Sequence, residues 1–495
     1  MDQVVVASNQ TEAQSLTGAC CLALLSLFSD KVFFPGSQGY NASQSSYFSQ
    51  QHSQIAPLCV VSPTSPEDVS AVIVSLTSTA SLLESDDEAP GCRFAIRSGG
   101  HSSIPGAANI ADGVTIDLRT LNEIELSDDK SIVSIGPGAR WGDVYTKLEI
   151  DGLSVAGGRV SQVGVGGLVV GGGISFFSPR YGFTCDSATN FEVVLADGSI
   201  VNANENENKD LLVALRGGSG NFGIVTRVDM RTFEQGEMLG GNTFHDLSAI
   251  EDHIEAFIEF NSADAYDEYA ALIMSFGFAP GRGQFVVNNM VYSKPEERPP
   301  VYEKLANIPF LQSSMRLDKM SGLAAEMGAF SPNGMRQKWL QLTFKSTAVM
   351  LNSVFDHWKA SLPVVENVAG LIWSLSLHPL PPNTYKNPLS TGNSLGLSDR
   401  SGALVVALLT VAYLDVADDD IVEETSRKLM DAVEKDARES RAYDPFKYFN
   451  YAGPGQDPVG SYGSESLEHL QAVRQRVDPN GVFAHQVPGG HKLAL

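Results

Sequence analysis

Between Val155 and Gly173 the chain places eight glycines in nineteen positions. Such a stretch suits a backbone that must approach another group closely and present its N–H groups in conformations closed to other residues. Two more loops share the texture: 97–102, within "IRSGGHSS", and 217–223, "GGSGNFG". All three follow segments that read as strands. One such loop is weak evidence, but three point to a large anionic ligand cradled by main chain. A diphosphate fits.

Charge agrees with a cradle that does not rely on Lys or Arg. The chain carries 58 acidic against 34 basic residues, a formal charge of −24. That surface argues against nucleic acid and against anionic membranes as partners. No apolar run reaches 18 residues, so no membrane span is expected. At 495 residues and 43% hydrophobic content the chain can build two or three cored domains.

Several ligand chemistries fail on spacing. Gly164-x-Gly166-Gly167 does not match the dinucleotide fingerprint, and Pro179 and Gly171 to Gly173 break the helix that must follow it. There is no Walker lysine. The histidines form no H-x-H or HExxH pair and the cysteines no CxxC, so no metal site is expected. Ser219 sits in a Gly-x-x-Gly, not in a nucleophile elbow.

The amino-terminal region reads as an amphipathic helix in "GACCLALLSLF", Gly18 to Phe28, rather than a signal segment, because acids rather than bases precede it. Localisation stays open. The sequons at Asn9 and Asn41 matter only for a secreted chain. Five cysteines allow one disulfide between the Cys20/Cys21 pair and Cys92, which spacing alone does not derive.

Further along, "SPEDVSAVIVSL" reads as a helix capped by Ser65, with Pro66 at its first position. "CRFAIR", "GVTIDLR" and "SIVSI" read as strands, "RWGDVYTKLEIDG" as a helix, and 191–203 as a hairpin turning at Asp197-Gly198. After about residue 235 the glycine texture stops. Helices are expected in "SAIEDHIEAFIEF" and "DDDIVEETSRKLMDAVEKDA", and strands in 283–293 and 402–414, the latter with some helix ambiguity.

Seven blocks then match one family in order. "RSGGH", "GVTIDLR", "VSIGPGARWGDVY", "GGRVSQVGVGGLVVGGGISF", "NFEVVLADGSIV", "DLLVALRGGSGNFGIVTRV" and the late "YFNYAGP…DPNGVF" resemble the berberine-bridge-enzyme-like FAD-linked oxidases of the vanillyl-alcohol-oxidase superfamily. The resemblance covers about 57–233 and 446–486. It implies an α+β fold: a two-part FAD-binding domain of the vanillyl-alcohol-oxidase type plus a substrate domain with an antiparallel sheet flanked by helices. The expected divisions are a helical segment at 1–52, the FAD domain at 53–234, the substrate domain at 235–440, and a segment at 441–495 that returns to the FAD domain.

The resemblance also implies site residues. Cofactor contacts would come from Ile96, Arg97, Ser98, Gly99, Gly100, His101 and Ser102, then from Gly158, Ser161, Gly164, Gly166, Gly167, Gly172 and Gly173. Gly223, Ile224 and Val225 supply a third group, and Tyr448 and Asn450 a fourth. His101 would bond covalently to the flavin 8α-methyl. Where doubly attached relatives hold a cysteine this chain has Val160, so one histidyl link is expected. That departure counts against sugars and for small oxygenated natural products. Val163 would face the flavin and leans toward oxygen access. Tyr448 would take a substrate proton, and with an ordinary pKa of about 10 it needs an activating neighbour. The expected partners are a small-molecule substrate and dioxygen. The alternatives are a dehydrogenase, a carbohydrate oxidase, or a flavin-bound non-redox cyclase.

Overall fold

A computed structural model describes residues 18–83, 92–262, 266–387 and 391–494. Cys59–Val61, Val114–Asp117 and Phe94–Arg97 form parallel neighbours in a four-stranded sheet, with Val32–Phe33 antiparallel at its edge. Their near-continuous apolar character is that of strands covered on both faces. The helix Pro66–Leu83 lies between this sheet and the next one, through Val69, Val72, Ile73 and Leu76. The Ser65 hydroxyl accepts from the Asp68 N–H, as the cap reading requires.

The segment 18–27 is helical and buries Cys20, Cys21 and Leu24. It is bridged twice, Cys20 to Cys92 and Cys21 to Cys59. The expectation of one bridge is therefore corrected to two. Adjacent helical residues project about 100° apart, so the two cysteines reach different partners. Cys185 keeps its thiol and is buried. The Asn9 sequon lies outside the described residues, and Asn41 is exposed on the helix Gln38–Gln44.

The second sheet is antiparallel, in the order Ile124–Leu126, Ile132–Ile135, Ile224–Arg231, Ala188–Val194, Ile200–Asn204. The expected hairpin is present, with Gly198 at φ +82° in its turn.

A nine-stranded antiparallel sheet follows. Its central strands are Gly283–Tyr292, Ala270–Ala279, Ile372–Leu380, Leu404–Tyr413 and Arg336–Lys345. The ambiguous 402–414 segment is thus strand, paired along both edges. Helices Ile250–Phe260, Ala348–Val365 and Asp419–Glu439 share one apolar core with it. Strand "IWSLSLHPL" shows how the faces divide. Trp373, Leu375 and Leu377 enter that core, while Ser374, Ser376 and His378 line the cavity on the other side. Past residue 445 the chain rejoins the core of the second sheet through Phe446, Tyr448, Tyr462, Leu470 and Val473.

Among the described residues, no helix is long and apolar enough to cross a membrane, and no group of three His, Cys, Asp or Glu side chains could hold a metal.

Candidate active site

One cavity of about 930 Å³ lies between the three glycine loops and the face of the large sheet opposite helices Ile250–Phe260, Ala348–Val365 and Asp419–Glu439. The first two loops meet backbone to backbone. A Cβ added at Gly99 would fall 2.6 Å from Gly164 Cα, and one at Gly164 would fall 2.6 Å from Gly99 Cα. Gly100 holds φ +66°, a left-handed conformation that favours glycine. Side chains at these points would push the loops apart or fill the space they enclose.

His101 follows directly. Its ring stacks on Phe48 with centroids 3.8 Å apart, and Trp339 stands 6.2 Å away. Its Nε2 is buried with no hydrogen-bond partner among the described residues. Burial lowers the imidazole pKa to about 4, so the ring is neutral near pH 7. A neutral, unpartnered ring nitrogen at a cavity wall is available for bonding to a ligand.

Two phenols face the same space. Tyr448 is 1% exposed, and its Oη accepts from Asn450 Nδ2 at 3.0 Å. Asn450 also donates to the Leu168 carbonyl, which ties this pair to the second loop. Burial, with the neighbouring Tyr451 adding to it, raises the Tyr448 pKa well above the ordinary phenol value. Tyr451 meets Tyr448 edge to face at 4.8 Å and accepts from Arg159 Nη2 at 2.5 Å.

The sheet face opposite is polar in a stripe. Ser275 and Ser376 share a hydrogen bond of 2.7 Å, with Ser374 and Thr410 beside them. His378, 4% exposed, ends the stripe 5.1 Å from the Tyr451 ring. Neither of its ring nitrogens has a partner among the described residues, and burial, with Arg159 nearby, holds its pKa well below the usual imidazole value.

Most of the residues singled out from sequence line this cavity: Ile96, Ser98, Gly99, Gly100, His101, Ser102, Val163, Gly164, Gly166, Gly167, Gly223, Ile224, Val225, Tyr448 and Asn450. Val160 lines it too. Five others stand behind the wall. Arg97 turns inward, donating to the Ser43 carbonyl at 2.6 Å and lying over the Tyr47 ring at 3.7 Å. Gly158 leaves room for Trp141, whose Cδ1 would be 2.5 Å from its Cβ. Ser161 pairs through its backbone with Ala324 and Gly142. Gly172 and Gly173, at φ +108° and +79°, accept from the Cys185 and Thr184 N–H groups. These five shape the loops. Sequence reasoning missed Arg159, Tyr451, His378 and Trp339, although Arg159 and Tyr451 lie inside the quoted blocks.

The chain matches the model of an FAD binding domain over residues 57–204. It is 40% identical over 470 residues to Oligopeptidase PhomG' of Diaporthe leptostromiformis, covering 94% of this chain but only 36% of that relative's length. It is 36% identical over 479 residues to FAD-dependent monooxygenase tpcD of Cochliobolus heterostrophus, covering 94% of this chain and 90% of the relative. In fold it is similar to glucooligosaccharide oxidase from Acremonium strictum, with a TM-score of 0.75, 19% identity, and coverage of 97% and 98% of the two chains. That enzyme's flavin is described as 6-S-cysteinyl, 8α-N1-histidyl FAD.

Proposed function

Because this chain belongs to the berberine-bridge-enzyme-like FAD-linked oxidoreductases, we propose that it is an oxidase of small, oxygenated natural products whose FAD is tethered once, at His101. The residues present fit the cofactor. The close approach of Gly99 and Gly164 makes a main-chain cradle, and the unpartnered His101 nitrogen supplies the bonding atom. The single observation that carries the tether is this histidine, stacked, neutral and with its Nε2 unpartnered. Val160 supports one link, since a valine at the cavity wall offers no nucleophile.

When bound, FAD supplies the two-electron acceptor that takes hydride from a substrate C–H bond and passes the electrons to dioxygen, giving hydrogen peroxide. The chain's own residues do the rest. Val163 packs at the loop side of the cavity. Asn450 fixes the Tyr448 hydroxyl. Burial keeps Tyr448 protonated, so it serves as a donor that orients substrate oxygen rather than as the initial base. The proton-accepting role moves to Tyr451. Arg159 donates to that phenol oxygen and so fixes its position at the cavity wall. The serine stripe and the aromatic walls, Trp339, Phe244 and Phe285, suit a neutral substrate with both ring surface and oxygens.

Anaerobic addition of a substrate from this class bleaches the flavin, and air restores it with one hydrogen peroxide per turnover. No bleaching with any C–H donor contradicts the reading and favours a non-redox cyclase. A second reading comes from relatives named as monooxygenases. Isotope-labelled dioxygen separates the two: label in the organic product supports oxygen insertion, and label only in peroxide supports the oxidase.

A further inference from the structure

Four ionised side chains line the cavity: Arg159, Arg282, Glu326 and Lys492. Three have evident positions or partners. Arg159 is engaged with Tyr451, Glu326 is paired with Arg316, and Arg282 is exposed at the connection between Ala270–Ala279 and Gly283–Tyr292. Lys492 is different. It sits in a stretch, 487–493, that is laced across the glycine loops. Gln486 accepts from the Phe94 N–H at 2.8 Å, at the base of the first loop. A Cβ at Gly489 would collide with the Gly106 carbonyl, so this backbone lies directly on the loop's continuation. Leu493 donates its N–H to Asn221 Oδ1 in the third loop at 3.2 Å.

The Lys492 ammonium makes one hydrogen bond, to the Phe483 carbonyl at 3.1 Å. No carboxylate lies within ion-pair distance of it among the described residues. An ammonium has three donors, so two remain for the cavity. Burial without a countercharge lowers its pKa to about 8. A cation held this way costs stability unless an anion meets it.

We propose that Lys492 is a cofactor-binding residue whose ammonium neutralises the phosphates of FAD, in a cradle otherwise made of main chain. The inference rests on FAD filling this cavity. It adds a salt-sensitive contact from a segment distant in sequence from the glycine loops.

The test separates affinity from attachment. In a His101→Ala protein loaded with FAD, the rate of flavin release is followed by the rise in free-flavin fluorescence, with and without Lys492→Gln, and with Lys492→Arg as the charge-conserving control. Loss of a charge-assisted contact speeds release by about tenfold or more, and arginine restores most of it. ADP and adenosine are then used as competitors. Lys492→Gln weakens displacement by ADP and leaves displacement by adenosine unchanged. Unchanged release, or equal weakening toward ADP and adenosine, overturns the assignment. A wild-type protein without FAD absorbance overturns the cofactor reading itself, and this proposal with it.

Discussion

Phe48 lies flat against His101, with the two rings tilted by only 15°. Its backbone N–H also donates to the Gly100 carbonyl, and its own carbonyl accepts from the Gly334 N–H. One residue therefore braces the first glycine loop, the histidine ring and a turn of the substrate domain. Aromatic pairs of this kind contribute about 0.5–1.5 kcal/mol beyond their burial. Phe48→Ala removes a side chain that is 2% exposed and costs about 3 kcal/mol or more of stability. It also lowers the fraction of flavin that stays with the protein after acid denaturation. A normal attached fraction in a folded Phe48→Ala protein contradicts the bracing role.

Val163 packs against the core while lining the cavity. Leucine at this position adds one methylene toward the flavin site. Val163→Leu slows reoxidation of chemically reduced enzyme by oxygen about tenfold, the effect of roughly 1.4 kcal/mol of added barrier. Stopped-flow absorbance reads this step directly, and unchanged oxygen kinetics rules out gating by this residue.

The two phenols are separable. Tyr451→Phe lowers the rate of anaerobic flavin reduction by about 10²-fold or more, as loss of a positioned proton acceptor does. Tyr448→Phe has a smaller effect on that rate and raises KM. Arg159→Met removes the donor to the Tyr451 oxygen and lowers the rate of anaerobic flavin reduction as Tyr451→Phe does, whereas an unchanged rate contradicts its role. A larger loss at Tyr448 than at Tyr451 returns the base to Tyr448.

Acid sensitivity follows from two fully buried histidines outside the site. His52 and His253 both have pKa values lowered to about 4 by burial, against about 6.5 in the unfolded chain. Between these values the unfolded chain binds the additional protons. Stability is therefore full above pH of about 6.5 and falls as pH drops toward about 4. Urea midpoints measured across that window decline, and His253→Gln makes the decline shallower. A flat midpoint across the window contradicts the burial of neutral imidazoles.

What the sequence made legible depends on geometry. Gly99, Gly164 and Gly166 were readable because a close backbone approach admits no other residue. The neighbours Arg97, Gly158, Gly172 and Gly173 carry the same motif letters, but a motif does not say to which side a residue faces. The serine stripe was readable in principle, since "SLSLH" alternates with period two. Its direction required knowing which face the helices cover. Phe48 and Trp339 reach His101 from 53 and 238 positions away, and no local pattern encodes such meetings. The second disulfide was hidden for the same reason, because Cys59 and Cys21 meet only once sheet and helix are packed.

The single tether at His101 is open to direct measurement. Acid-denatured protein is digested and its peptides are weighed. One flavin-bearing peptide is expected, the one containing His101, with unmodified peptide around Val160. His101→Ala then releases all its flavin into the supernatant on denaturation. Flavin found wholly in the supernatant of the wild-type protein, or attached to any residue other than His101, contradicts it.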